Sequence, residues 1–121
     1  MSKHSNLMRE CDALWQILIL RMYRYCCAVS GQTATVAHHI VGRSNMALRY
    51  EVLNGLPLSH STHLGVMHGD PKKGKDWLQT FRGYQMAWLN EHKNDRIPCS
   101  LNLYLLDQRA KLRAMLEAVG P

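Results

Sequence analysis

No stretch of this sequence is long and apolar enough to cross a bilayer. The best run, Ala13 to Leu20, is interrupted by Gln16 and ends at Arg21, well short of the ~20 residues that a spanning helix needs. No charged-then-apolar leader is recognisable. Cysteines are too few and too badly spaced for a disulfide framework: of Cys11, Cys26, Cys27 and Cys99, two are neighbours and Cys11 sits inside a helical pattern. A stapled secreted scaffold is thereby excluded, and a reducing cytoplasm is the expected compartment. Acidic residues are scarce, nine against fifteen Lys and Arg, for a formal net charge of +6. That imbalance suits a polyanionic partner. Repeats and low-complexity tracts are missing too. With 46% hydrophobic and 20% charged residues, 121 residues are expected to form a single domain with one modest core.

What is present reads as a helix, a histidine-rich segment and two further helices. Leu7, Cys11, Leu14, Leu18, Met22 and Tyr25 recur at steps of three and four. They predict a helix over residues 6–25, capped by Ser5 or Asn6, with this stripe inward. Gly31-Gln32 reads as a turn and Thr33 to Ala37 as a short strand that delivers His38 and His39 at its end. Gly42 to Glu51 is a polar, basic loop. Asn54-Gly55 opens a second strand, Leu56-Pro57-Leu58. Ser59 or Ser61 then caps a short helix through His63 and Met67, stopped by Gly69 and Pro71. Lys72, Lys73 and Lys75 make a basic linker. Residues 76–90 are predicted helical, with Trp77, Phe81, Tyr84 and Trp88 as a core stripe. Residues 100–119 form the last helix, with Leu101, Leu105, Leu112, Met115 and Val119 inward. The expected fold class is α+β: a ββα unit braced by flanking helices.

The histidines carry the chemistry. His38 and His39 are adjacent, Asn54 follows fifteen residues after His39, and His63 and His68 lie nine and fourteen residues beyond Asn54. Hydrolysing a phosphodiester requires an activated water, a counter-charge for the transition state and help for the departing oxygen. A neutral imidazole can take the water's proton, and it can also ligate a metal that supplies the rest. Side chains alternate along a strand, so two adjacent histidines can divide these tasks. His4, His60 and His92 fall outside the pattern and read as surface residues. Arg43 and Arg49, in the intervening loop, either grip phosphate or pair with Glu51 or Asp70.

Residues 27–70 resemble the HNH endonuclease family, also called the ββα-metal or His-Me finger. Within them Arg43-Ser44-Asn45-Met46-Ala47-Leu48-Arg49-Tyr50-Glu51 followed by Asn54-Gly55 is similar to the NinG-type recombination proteins of bacteriophages. The likeness spans a little over a third of the chain. It implies that His39 is the general base and His38 the first metal ligand. Asn54 would link the two strands and hold the base in orientation, His63 would be the helix ligand, and His68 the third histidine. The resemblance further implies a divalent-metal-dependent endonuclease that leaves a 5′ phosphate and a 3′ hydroxyl. The source would be a phage or prophage, acting in the cytoplasm of a bacterial host. Magnesium or manganese is the expected cofactor, and an all-histidine set also accepts nickel or zinc. DNA is the expected partner, with RNA not distinguished, and Arg43, Arg49, Lys72 and Lys73 are the expected phosphate contacts. A monomer would nick and a homodimer would cut both strands.

Two departures from the family pattern matter. On an α-helix, residues five apart are rotated by about 140°, so His68 joins His63 only if the helix loosens near Gly69, with Asp70 as the fallback ligand; Met67 holds the ideal position. Where many relatives place four zinc-binding cysteines, this chain has Cys27, Ser30, Ser59 and Thr62, so no structural four-cysteine zinc is expected. Two rival readings stand beside the nuclease: a nucleic-acid-binding module without turnover, and a protein whose histidines hold a structural zinc.

Overall fold

Twenty residues, Lys3–Met22, form α1, and the chain leaves it through Arg24 and Tyr25, both with positive φ (53° and 57°). The computed structural model describes residues 3–121. After α1 come β1 (Val36–His39), a 3₁₀ turn (Val52–Asn54), β2 (Gly55–Leu58), a three-residue α2 (His60–Thr62) and a π-helical turn (His63–His68). Three longer helices complete the chain: α3 (Pro71–Phe81), α4 (Gly83–His92) and α5 (Leu101–Val119). Five helices with a two-stranded antiparallel hairpin make the described fold α+β. None of the helices is long and apolar enough to cross a membrane.

The hairpin pairs Val36 with Leu58, Ala37 with Pro57, His38 with Leu56 and His39 with Gly55. Period-two alternation sorts these residues between two cores. Ala37 packs in a cluster built by Leu7, Cys11, Trp15, Leu18 and Ile19 of α1 and Leu105 and Leu112 of α5. Val36, Leu56 and Leu58 pack instead with Met67 and with Leu78 of α3. His38 and His39 therefore belong to opposite faces of one strand.

Several sequence-based expectations shift. The first helix begins at Lys3, so Ser5 and Asn6 lie within it and cannot cap it. Its inward stripe turns onto Trp15 and Ile19, while Met22 (42% exposed) and Tyr25 (45%) lie at the surface. The first strand starts three residues later than expected and contains both histidines. The basic linker is the first part of α3: Pro71 takes the first helical position and Asp70 accepts a capping bond from the Lys73 amide (3.2 Å). The helix expected over residues 76–90 is two helices, because Arg82 leaves helical geometry (φ −130°, ψ 36°) just before Gly83. That break throws the aromatic stripe out of phase, and Phe81 and Tyr84 are 62% and 76% exposed instead of core. On α5 the buried residues are Tyr104, Leu105, Gln108 and Leu112, whereas Met115 and Val119 run out into solvent.

Helix α1 approaches β2 closely at Gly55. A Cβ added at Gly55 would lie 2.5 Å from Ile19 Cδ1 and 3.0 Å from Trp15 Cζ2. Gly55→Ala must displace the Ile19 side chain or shift the helix on the hairpin, and overpacking of this kind costs about 1–3 kcal/mol. A lower urea midpoint with an unchanged slope is the expected result; an unshifted midpoint would show that α1 yields freely.

Candidate metal centre and its neighbouring histidine

Ser59 caps the short helix, its hydroxyl accepting from the Thr62 amide at 3.3 Å. Beyond it the chain widens into the π turn. A π turn closes its hydrogen bonds five residues back, not four, and this overcomes the rotation that would separate His68 from His63 on an α-helix. The two Nε2 atoms lie 2.9 Å apart. Gly69 makes the wide turn feasible: a Cβ there would lie 2.7 Å from the Leu64 carbonyl oxygen and 2.9 Å from that of Gly65. The sequence placed the loosening at Gly69 itself, whereas it spans all of His63–His68.

His38 faces this turn across the hairpin. Its ring centroid is 5.1 Å from that of His63 and 5.3 Å from that of His68, edge-on to both. One nitrogen from each of the three lies within 4.8 Å of the others, so the cluster can hold a metal ion. The fit is chemically sound. With metal–nitrogen bonds of about 2.0–2.1 Å, imidazole nitrogens that share one ion lie roughly 3–4 Å apart, within the 4.8 Å over which these three are spread. Burial holds the His38 pKa down at about 4, reinforced by His63, His68 and His39, and burial also lowers that of His63. Each neutral imidazole keeps one lone pair, and a cation here would replace the hydrogen bond that the His63 and His68 Nε2 atoms share. Asp70 does not join the cluster, being occupied in capping α3.

His39 occupies a different environment. Its ring stacks on Trp15 at 3.9 Å and 13°, and its Nε2 lies 3.0 Å from the Arg49 carbonyl oxygen. A carbonyl only accepts, so Nε2 carries the proton and Nδ1 keeps the lone pair. Burial lowers the His39 pKa, against the opposing pull of the Arg49 carbonyl. Asn54 is fully buried. Its Oδ1 accepts from the Val41 amide (2.7 Å), while Nδ2 donates to the Val41 and Leu48 carbonyls (3.0 Å each). It ties the end of β1 to the loop that supplies the carbonyl for His39.

Three α1 residues escaped the sequence reading. Gln16 grips Ala37 at both ends, Nε2 donating to its carbonyl (2.8 Å) and Oε1 accepting from its amide (2.9 Å). The side-chain amide takes the place of a neighbouring strand. Trp15 supports the His39 ring and donates from Nε1 to the Glu51 carbonyl (3.0 Å). Asp12 accepts two bonds from Arg49 (2.9 and 2.8 Å). The polar Gln16 in an apolar run was the available signal; Asp12 and Trp15 gave none. Arg49 consequently departs from its expected role. Its side chain, 12% exposed, is held by Asp12 and the Arg43 carbonyl (3.1 Å) and not by Glu51 or Asp70, so the residue positions its own carbonyl, the partner of His39 Nε2. Arg43 is exposed and lines the cleft of about 460 Å³ that contains His38, His39, His63 and His68. Lys72 and Lys73 are exposed at the start of α3.

Cys27, Ser30, Ser59 and Thr62 do meet in space. The Ser30 amide donates to Cys27 Sγ (3.4 Å), the Ser30 and Ser59 hydroxyls lie 3.5 Å apart, and Ser59 donates to Thr62 Oγ1 (2.9 Å). A hydrogen-bonded cluster joins the β1 approach to the helix here.

A scan against protein-family models finds no match, and comparisons with curated proteins and with solved structures find none either.

The π turn can be tested through the metal. Calorimetric titration with nickel or zinc should show one site in the wild type. Gly69→Ala should weaken it by about 10- to 100-fold, as changes that disturb ligand orientation do. Unaltered affinity in a folded Gly69→Ala protein would mean that the wide turn is not needed to assemble the ligands.

Proposed function

We propose that the chain is a divalent-metal-dependent endonuclease, with residues 27–70 acting as a ββα-metal finger of the HNH kind and DNA as substrate. The observation that carries this reading is the juxtaposition of three metal-competent histidines with a fourth of fixed tautomer. His38, His63 and His68 would hold the ion, whose role when bound is to offset charge on the phosphate and the departing oxygen. His39 Nδ1 takes a proton from a water. That water attacks phosphorus, the P–O3′ bond breaks, the departing O3′ takes a proton from solvent, and the products are a 5′ phosphate and a 3′ hydroxyl. Trp15 and the Arg49 carbonyl keep the imidazole from rotating, and Asn54 and the Asp12–Arg49 pair fix that carbonyl. Arg43, at the edge of the same cleft, is placed to hold a flanking phosphate.

The surface charge supports a nucleic-acid partner. Lys72 and Lys73 occupy the first turn of α3 with no acidic residue in that turn. Asp70 is the one carboxylate at that helix end, and the two exposed ammonium groups beside it can reach a phosphate backbone. Contacts of this kind read backbone and shape, not sequence.

Cleavage of supercoiled plasmid by wild-type and His39→Ala protein, in EDTA and with magnesium, manganese, nickel or zinc, tests the reading. Metal-dependent open circle from the wild type, and a loss of about 10²- to 10⁴-fold in the variant, is the expected outcome. No cleavage with any metal, or equal rates for both proteins, sinks the mechanism. A gel shift on the same samples then identifies a binding module without turnover.

A further inference from the structure

His38 is a wall shared by two cavities. On one side is the cleft with the other histidines; on the other is a pocket of about 440 Å³ between α3, α4 and the chain just after β1. That volume is within the range of small-molecule sites, about 300–1,000 Å³. Its floor is apolar, built by Ile40, Met67, Leu78, Met86 and Leu89. Two carboxamides, Gln79 and Asn90, and two ammonium groups, Lys75 and Lys93, complete the lining, all four exposed. No acidic residue lines it, and neither lysine forms an ion pair among the described residues.

We propose that this pocket receives an unpaired nucleobase of the substrate strand, next to the phosphate at the histidines. The inference deepens the function proposed above and rests on its nucleic-acid reading. A nucleobase has two apolar faces and a hydrogen-bonding edge, and it hangs from an anionic backbone. The floor matches the faces, and Gln79 and Asn90 both donate and accept and so match any edge. Lys75 and Lys93 match the flanking phosphates. Because His38 bounds both cavities, a base held in one sets the register of the phosphate in the other. A base stacked and paired in duplex reaches such a pocket only by being extracted, at a cost of a few kcal/mol that is least where the base is already unpaired. The substrate class is therefore a strand with an unpaired nucleotide at the cut: a single strand, a bulge or a branch point.

The test uses the full chain in EDTA, where no cleavage competes, and two labelled duplexes that differ only in whether one 2-aminopurine is unpaired. The wild type should bind the unpaired probe about tenfold tighter or more, and the 2-aminopurine emission should change at saturation. Gln79→Trp, which plugs the mouth from an exposed position, should bring the affinity ratio close to one and abolish the emission change. Lys75→Ala/Lys93→Ala should lower the ratio as well. Equal affinity of the wild type for both probes, or a preference that survives Gln79→Trp, overturns the pocket. Plasmid nicking together with equal affinities refutes the pocket and leaves the nuclease intact. A retained preference with no cleavage by any metal refutes the nuclease and upholds the pocket.

Discussion

Where α1 crosses the hairpin there is no space for a side chain at residue 55, and the arrangement of the site follows from that approach. Helix and strand come close enough for Gln16 to satisfy both backbone groups of Ala37. The same approach lays Trp15 flat on His39, and one turn earlier on the helix Asp12 reaches Arg49. Two consecutive turns of one helix thus fix a short two-stranded hairpin that would be marginal alone. The partly buried Asp12–Arg49 pair gains its value from what it orders. An ion pair in such a setting is weak evidence for stability, but this one sets the carbonyl that decides which nitrogen of His39 bears the proton.

Burial does the remaining electrostatic work. His38, His39 and His63 all lie below the usual histidine pKa, chiefly because their charged forms lose solvent. In a chain of formal net charge +6, positive charge is expected to crowd the cleft. Instead four histidines and Asp12 line the cleft, and Arg43 is the one permanent cation among its lining residues.

Much of the candidate site was legible in the sequence because its pattern is local. A strand carrying adjacent histidines needs only alternation to send them to different faces, and Ser59 with Gly69 brackets the next ligands. The hairpin, the buried Asn54 and the cap at Ser100 follow from short-range rules in the same way. What escaped was tertiary. On α1 the expected Leu7, Cys11 and Leu18 are buried, but the hairpin also covers Trp15 and Ile19, while Met22 and Tyr25 at the end of the expected stripe are exposed. The aromatic stripe crossed a helix break at Arg82 that no proline announces. Arg49 found its carboxylate 37 residues away on α1, beyond the reach of any local pairing rule.

The wide turn at His63–His68 also says something about how the chain tolerates length change. A π turn is an α-helical turn carrying one surplus residue, and here the surplus falls among Leu64, Gly65, Val66 and Met67, between two ligands. Removing one residue from that stretch would return the helix to ordinary pitch while leaving the histidines four apart on a shared face. The ligand pair is therefore compatible with two chain lengths, and the longer one is retained only so long as Gly69 leaves room for the carbonyls above it.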